Sequence, residues 1–376
     1  MKLLTGLGLA LLASLGWAQE PEELMSYAAR GQVPTGYPPT YAATIRAAED
    51  EGKLVIYATT DTAVARPLIA DFKAMYPRIN VEYEDLTSTE LHYRFVAETQ
   101  LGGGTADVLW SSAMDLQSNL VSKGYAQTYD SPESGGLPAW AKWKAQAWAT
   151  TFEPIAIAYN KTLLPASDVP RTHADLARLL NASAARFKGK VITYDIEKSG
   201  LGFFLATQDV SVAPVFWDIA EGLGKVDTRF ASTTDAMLKQ VASGEAAIAY
   251  NVLGSYAVAQ ARKDANIGYV FPADYTLVMS RLQLINKNAP DPNAARLWVD
   301  YVLSKRGQTV IANQAGLYSV RVDVSGDTTA AGLKQTLGPS IRAIGVGPSL
   351  IGYLNNQNYR DFIHQWRKAT EAASGK

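Results

Sequence analysis

Leu54-Val55-Ile56-Tyr57-Ala58 runs directly into Thr59-Thr60-Asp61-Thr62, and this junction decides the fold. A continuous apolar run of that length reads as a strand covered on both faces. The hydroxyl residues after it open a helix whose apolar face carries Val64, Leu68, Phe72 and Met75 at helical spacing. Pro67 falls inside that helix and is expected to delay its start or bend it. The junction then recurs. Val81–Leu86 leads into Thr87-Ser88-Thr89-Glu90, spaced as a capping box. Val108–Trp110 leads into Ser111 and Ser112, and Ser112-Ala113-Met114-Asp115 has the same box spacing. Strand–helix–strand–helix order implies a parallel sheet covered by helices on both faces. Helix N-termini carry unpaired N–H groups and the positive end of the dipole. Several of them at one sheet edge make a socket for an anion or a polar solute.

The first residues read as an export signal. Lys2 is followed by the Leu-, Ala- and Gly-rich stretch to Trp17, with small residues before a cleavage point after Ala18. The apolar run is short for a membrane span. The chain has 376 residues and no Cys. That excludes a lipid-anchoring cysteine, thiolate catalysis and zinc–thiolate or iron–sulfur sites, and it argues against a disulfide-built scaffold. Lys+Arg 35 against Asp+Glu 36 leaves the chain near neutral, without the basic face of a nucleic-acid binder. A periplasmic, monomeric protein is expected.

Further along, residues 19–51 read as a helical extension ending in the helix Tyr41–Glu51. Strands are expected at Ile155–Tyr159, Val191–Tyr194 and Ala246–Tyr250, and helices at Ala294–Leu303 and Tyr359–Ala373. His173 and His364 read as surface residues. No Gly-x-Ser-x-Gly elbow, His-Glu-x-x-His pair or Walker loop is present, so no enzyme chemistry is indicated.

Leu54–Asp61, Pro67–Phe72 with Tyr76-Pro77, Ala106–Ser112, Asn293–Leu297 and Leu303–Gln308 together resemble family-1 extracellular solute-binding proteins of ABC transporters, in the ferric-binding-protein-like branch. The resemblance spans roughly residues 53–316. It implies an α/β, two-lobed periplasmic binding protein fold with two crossing strands as the hinge. Residues 52–150 with about 276–325 would form the first lobe, and 151–275 with about 326–376 the second. It also implies a solute held between the lobes, closure about the hinge and delivery to an inner-membrane ABC permease. A sensory partner, a receptor kinase, would read the same closed form.

The residues point to a small anionic organic solute: a phosphate ester, phosphonate or carboxylate. Thr60, Thr89, Ser111, Ser112, Ser199, Gly200 and Ser255 supply hydroxyl or amide donors at strand ends, though each hydroxyl also suits a simple helix cap. Arg281 offers a bidentate clamp, or alternatively an interlobe ion pair. Lys198 is either an anion attractor or a solvated charge. Asp61, Glu153 and Asn251 can meet the rest of the solute, and Tyr250 and Tyr256 can wall it. No cofactor is expected. The alternative is ferric iron as cargo on Tyr250 and Tyr256; the iron-binding relatives carry adjacent tyrosines, whereas these two stand apart in sequence.

Overall fold

The computed structural model describes residues 33–103 and 106–372, so the export signal expected over residues 1–18 lies outside the described residues. Among the described residues, no helix is long and apolar enough to cross a membrane.

Two sheets organise the chain. The first contains β1 (Lys53–Ala58), β2 (Asn80–Asp85), β3 (Val108–Ser111), β4 (Lys142–Trp143), β5 (Ala147–Ala149) and β12 (Leu282–Ile285), in the order β2-β1-β3-β12-β5-β4. β1 pairs in parallel with β2 and β3, as the repeated strand–helix pattern requires. The sheet as a whole is mixed, because β12 runs antiparallel to its neighbours β3 and β5, and β4 antiparallel to β5. Ile56, Trp110 and Leu282 lie in its core, beside Phe72 and Trp298 from the covering helices.

The second sheet contains β6 (Glu153–Asn160), β7 (Val191–Tyr194), β8 (Arg229–Ala231), β9 (Ile248–Leu253), β11 (Thr276–Met279) and β13 (Ile341–Ala343), in the order β13-β11-β6-β9-β7-β8, with β10 (Ile267–Val270) also on β6. Thr276–Met279 therefore belongs to the second sheet, not to the first as the expected boundary near 276 would have it. The chain crosses between sheets three times, at 150–152, at Ser280-Arg281 and again between β12 and β13, where Ser319 bridges to Thr151; two crossings were expected. Hydrogen bonds tie the first two crossings together: Thr150 N donates to Arg281 O at 2.9 Å, and Arg281 N donates to Thr151 Oγ1 at 3.0 Å.

Around these sheets the helices follow the periodicity. The helix Thr62–Met75 runs unbroken through Pro67 and buries Ala65, Leu68 and Phe72. Burial of that face outweighs the proline's missing donor. Thr87 and Glu90 do form a capping box. The box expected at Ser112–Asp115 is absent: the helix is Met114–Ser122, its N-cap is Ala113, and Ser111 Oγ accepts from Ala113 N at 3.2 Å instead. The extension helix Tyr41–Glu51 packs on Pro292–Leu303. The Glu51 carboxylate accepts from the N–H groups of Asn293 (2.9 Å) and Ala294 (2.8 Å), capping that helix across the chain. The C-terminal helix Asn356–Ala372 places Phe362 and Trp366 against Phe216 in the second lobe.

Candidate functional site

Strand ends and helix starts of both lobes face one another across a cleft. Its cavity of about 190 Å³ is lined from the first lobe by Thr59, Asp61, Asp85, Leu86, Thr87, Ser88, Glu90 and Ser112. The second lobe contributes Tyr194, Leu201, Ser232–Asp235, Leu253 and Tyr256. That volume is below the ~300–1,000 Å³ of sites for drug-sized ligands, so the cleft suits a small solute. Apart from Leu86, Leu201, Leu253 and the two tyrosine rings, the lining is hydroxyls and carboxylates. Among the described residues, no Lys or Arg side chain lines it.

Three of the residues singled out from the sequence line this cavity: Asp61, Ser112 and Tyr256. Asp61 precedes the helix Thr62–Met75 without capping it. Its backbone N–H donates to Tyr256 Oη across the cleft at 3.4 Å. Ser112 N donates to Thr59 Oγ1 at 2.9 Å, and the two hydroxyls lie 3.1 Å apart. Tyr194 Oη and Thr234 Oγ1 share a hydrogen bond at 2.5 Å.

Two of the four lining carboxylates, Asp85 and Glu90, already serve helix starts, and Asp235 is paired with a lysine. Asp85 Oδ2 accepts from Thr62 N at 2.9 Å. Burial pushes its carboxyl up and nearby Asp61 adds to this, while the bonds from Thr62 pull it down. Glu90 accepts from Thr87 N at 3.0 Å and from the Thr87 hydroxyl at 2.7 Å, which holds its carboxyl below the ordinary range. Asp235 reaches Lys239 at 2.6 Å on the next turn of its helix.

Arg281 and Glu153 sit at the hinge, fully buried, with Arg281 Nε 3.6 Å from Glu153 Oε1. Arg281 Nη1 donates to Thr60 Oγ1 at 3.0 Å and to Thr59 O at 3.4 Å. Its guanidinium lies 5.4 Å from the centre of the Tyr256 ring. Burial pushes the Glu153 carboxyl up, against the pull of Arg281 and the Ser255 hydroxyl. Arg281 is thus the interlobe ion pair of the two roles open to it, and Thr60, Glu153 and Ser255 are buried around it instead of lining the cavity. Ser111 is buried as well.

Thr89, Ser199 and Gly200 meet at the seam where the lobes touch. Gly200 N donates to Thr89 Oγ1 at 3.0 Å. Ser199 Oγ accepts from Gly202 N and donates to Ser232 O. Lys198 is exposed and paired with Asp195 at 2.9 Å.

Tyr250 and Asn251 lie elsewhere. Between Ala156 and Ala158 the β6–β9 register shifts, so that two residues of β9 oppose one of β6. Asn251 takes the extra position at φ 61°, the arrangement of a β-bulge. Tyr250 Oη (2.9 Å) and Asn251 Nδ2 (2.6 Å) both donate to buried Asp209, which also accepts from Tyr275 Oη at 3.0 Å. His173, expected at the surface, is buried beside this group. It stacks on Tyr275 with ring centres 3.8 Å apart and contacts Asp274 through Nδ1 at 3.0 Å. Tyr250 and Tyr256 therefore do not assemble into an iron site. Among the described residues, no group of three or more His, Asp and Glu is arranged to hold a metal ion.

Thr59, Asp85, Ser88, Glu90, Ser232–Asp235 and Tyr194 were missed by sequence reasoning. The signal for three was present: Thr59, Ser88 and Ser232 come shortly after a strand by the same rule that selected Thr60 and Ser112.

The bacterial extracellular solute-binding protein family model matches residues 67–334. A substrate-binding protein of an ABC transporter from Agrobacterium tumefaciens is 37% identical, with a TM-score of 0.81 over 85% of this chain and 94% of that one. The periplasmic binding protein AfuA from Actinobacillus pleuropneumoniae, with fructose-6-phosphate bound, shares 18% identity and a TM-score of 0.69 over 85% of this chain and 99% of that one. Iron-bound HitA from Pseudomonas aeruginosa shares 18% identity and a TM-score of 0.64, over 84% and 99%. The last two show the fold alone. No curated protein matches the sequence. Two α/β lobes and a polar cleft between them accord with these likenesses: the chain belongs to the bacterial extracellular solute-binding proteins, the substrate-binding components of ABC transporters.

Proposed function

We propose that this chain works in the periplasm as the capturing component of an importer, and that its cleft takes a small polar solute carrying a protonated amine. The carrying observation is the lining: four carboxylates, Asp61, Asp85, Glu90 and Asp235, among hydroxyls, with no Lys or Arg side chain among the described residues. Such a wall attracts a cation and repels an anion.

The anionic solute anticipated from the sequence would draw on helix-start amides and on Arg281. Those of Thr62, Thr87, Gly200 and Leu201 are already bonded within the protein, and Arg281 faces Glu153. The ferric alternative drew on Tyr250 and Tyr256 together, and the Tyr250 hydroxyl is committed to Asp209 away from the cleft.

Mass spectrometry of the co-purifying solute, followed by thermal shifts with ethanolamine, choline, putrescine, fructose 6-phosphate and ferric citrate, tests the reading. A solute at a hundred times its Kd stabilises the folded state by ~2.7 kcal/mol. An amine is expected to raise the melting temperature. A rise with the phosphate ester or ferric citrate and none with any amine would overturn the amine reading.

A further inference from the structure

We propose that the two lobes share one helix cap, and that this shared cap holds them shut before any solute arrives. It deepens the solute-capture reading by naming what closes the lobes, and it is independent of which solute is taken.

The helix Gly200–Val212 begins at the seam with its own N-cap, Ser199, whose Oγ accepts from Gly202 N at 3.2 Å. The amides of Gly200 and Leu201 have no partner within their own helix. Both are met from the other lobe. Thr89 Oγ1 accepts from Gly200 N at 3.0 Å, and Ser88 Oγ accepts from Leu201 N at 2.9 Å. Thr89 Oγ1 also donates to Lys198 O at 2.7 Å. The residues Thr87-Ser88-Thr89-Glu90 thus divide their work. Thr87 and Glu90 close their own helix, while the two hydroxyls between them close the helix of the opposite lobe.

The seam is tight as well as bonded. A Cβ on Gly200 would stand 2.8 Å from Leu116 Cδ1 and 3.1 Å from Ser88 Oγ, both in the first lobe. Ser88 is 5% exposed, so water does not reach its hydroxyl freely. These three hydrogen bonds exist only when the lobes are shut, so they shift the open–closed equilibrium while leaving each lobe's own contacts alone. Ser88 and Thr89 act here as positioning residues of the closed form.

Because the chain has no Cys, Ala74→Cys and Ala185→Cys, both exposed and in different lobes, provide the only thiols for paired spin labels. Distances are read by electron–electron double resonance on solute-free protein. Gly200→Trp wedges the seam and supplies the open reference. The otherwise unaltered chain is expected to show mostly a shorter distance. Ser88→Ala and Thr89→Val should each lower the closed-to-open ratio about fivefold, and Thr89→Ser, which keeps both bonds, should match the parent. Circular dichroism confirms that each variant is folded. Unchanged distances in the Ser88→Ala/Thr89→Val protein, or a solute-free parent already at the open distance, would overturn the proposal. Failure to find an amine solute would leave this measurement untouched.

Discussion

At the scale of single residues, charge decides what the cleft can hold. Asp61 and Asp235 line it from the two lobes and are the carboxylates whose loss should be felt by a cationic solute. Asp61→Asn and Asp235→Asn are each expected to remove about 1.5–3 kcal/mol of binding, more than tenfold in affinity. Calorimetric titration with the amine identified from the purified protein checks this, with the melting temperature nearly unchanged. Elsewhere, buried carboxylates make the fold itself sensitive to pH. Asp300 accepts hydrogen bonds of 2.6 Å from Tyr41, Tyr129 and Ser131, yet burial still pushes its carboxyl up to about 6. Burial takes Asp115 to about 7. Both hold a proton more tightly folded than unfolded. Their stabilisation is therefore complete below the ordinary carboxylate pKa and is lost as pH rises through about 6–7. Each group loses at most ~1.4 kcal/mol for every pH unit crossed. The melting temperature is expected to fall between about pH 4 and pH 7, and Asp115→Asn to flatten that fall.

At the scale of elements, local rules and tertiary burial disagree in instructive places. Pro67 sits in the second turn of Thr62–Met75 and cannot donate to the carbonyl four residues earlier. The helix persists because Ala65, Leu68 and Phe72 are buried and because Asp85 takes the Thr62 amide. Pro67→Ala is expected to raise the unfolding free energy by ~1–3 kcal/mol, measured by urea denaturation with the m-value unchanged. Ser112 shows the opposite case. Its spacing to Asp115 suits a capping box, but its hydroxyl faces Thr59 and the helix starts two residues later.

At the scale of the whole molecule, the hinge is held by a buried ion pair instead of by apolar packing alone. Glu153 opens β6 just after the first crossing and Arg281 lies in the second, and Arg281 reaches Thr59 and Thr60 in one lobe and the Tyr256 ring in the other. Glu153→Gln should destabilise the protein by ~3–5 kcal/mol, because it strands a buried cation. The double variant Glu153→Gln/Arg281→Met should recover much of that loss. Chemical denaturation of the parent, the two single variants and the double variant completes the cycle; a double-variant loss equal to the sum of the two single losses would show that the pair is not coupled.

The sequence by itself determined the elements, their order and the family. Apolar runs ending in hydroxyls, helical spacing at Val64–Met75 and the Thr87–Glu90 box are local signals, and local geometry answers to them. It determined that strand ends and helix starts would converge. Only the tertiary structure decided what each polar side chain at those junctions does. A Ser or Thr after a strand looks alike in sequence whether it lines the cleft (Ser112), receives the hinge arginine (Thr60) or caps a helix in the other lobe (Thr89). A single bulge at Asn251 was enough to commit Tyr250 to Asp209 and leave Tyr256 at the cleft. The physical reason is that backbone periodicity is fixed by near neighbours, whereas the partner of a polar group is fixed by which distant segment arrives beside it.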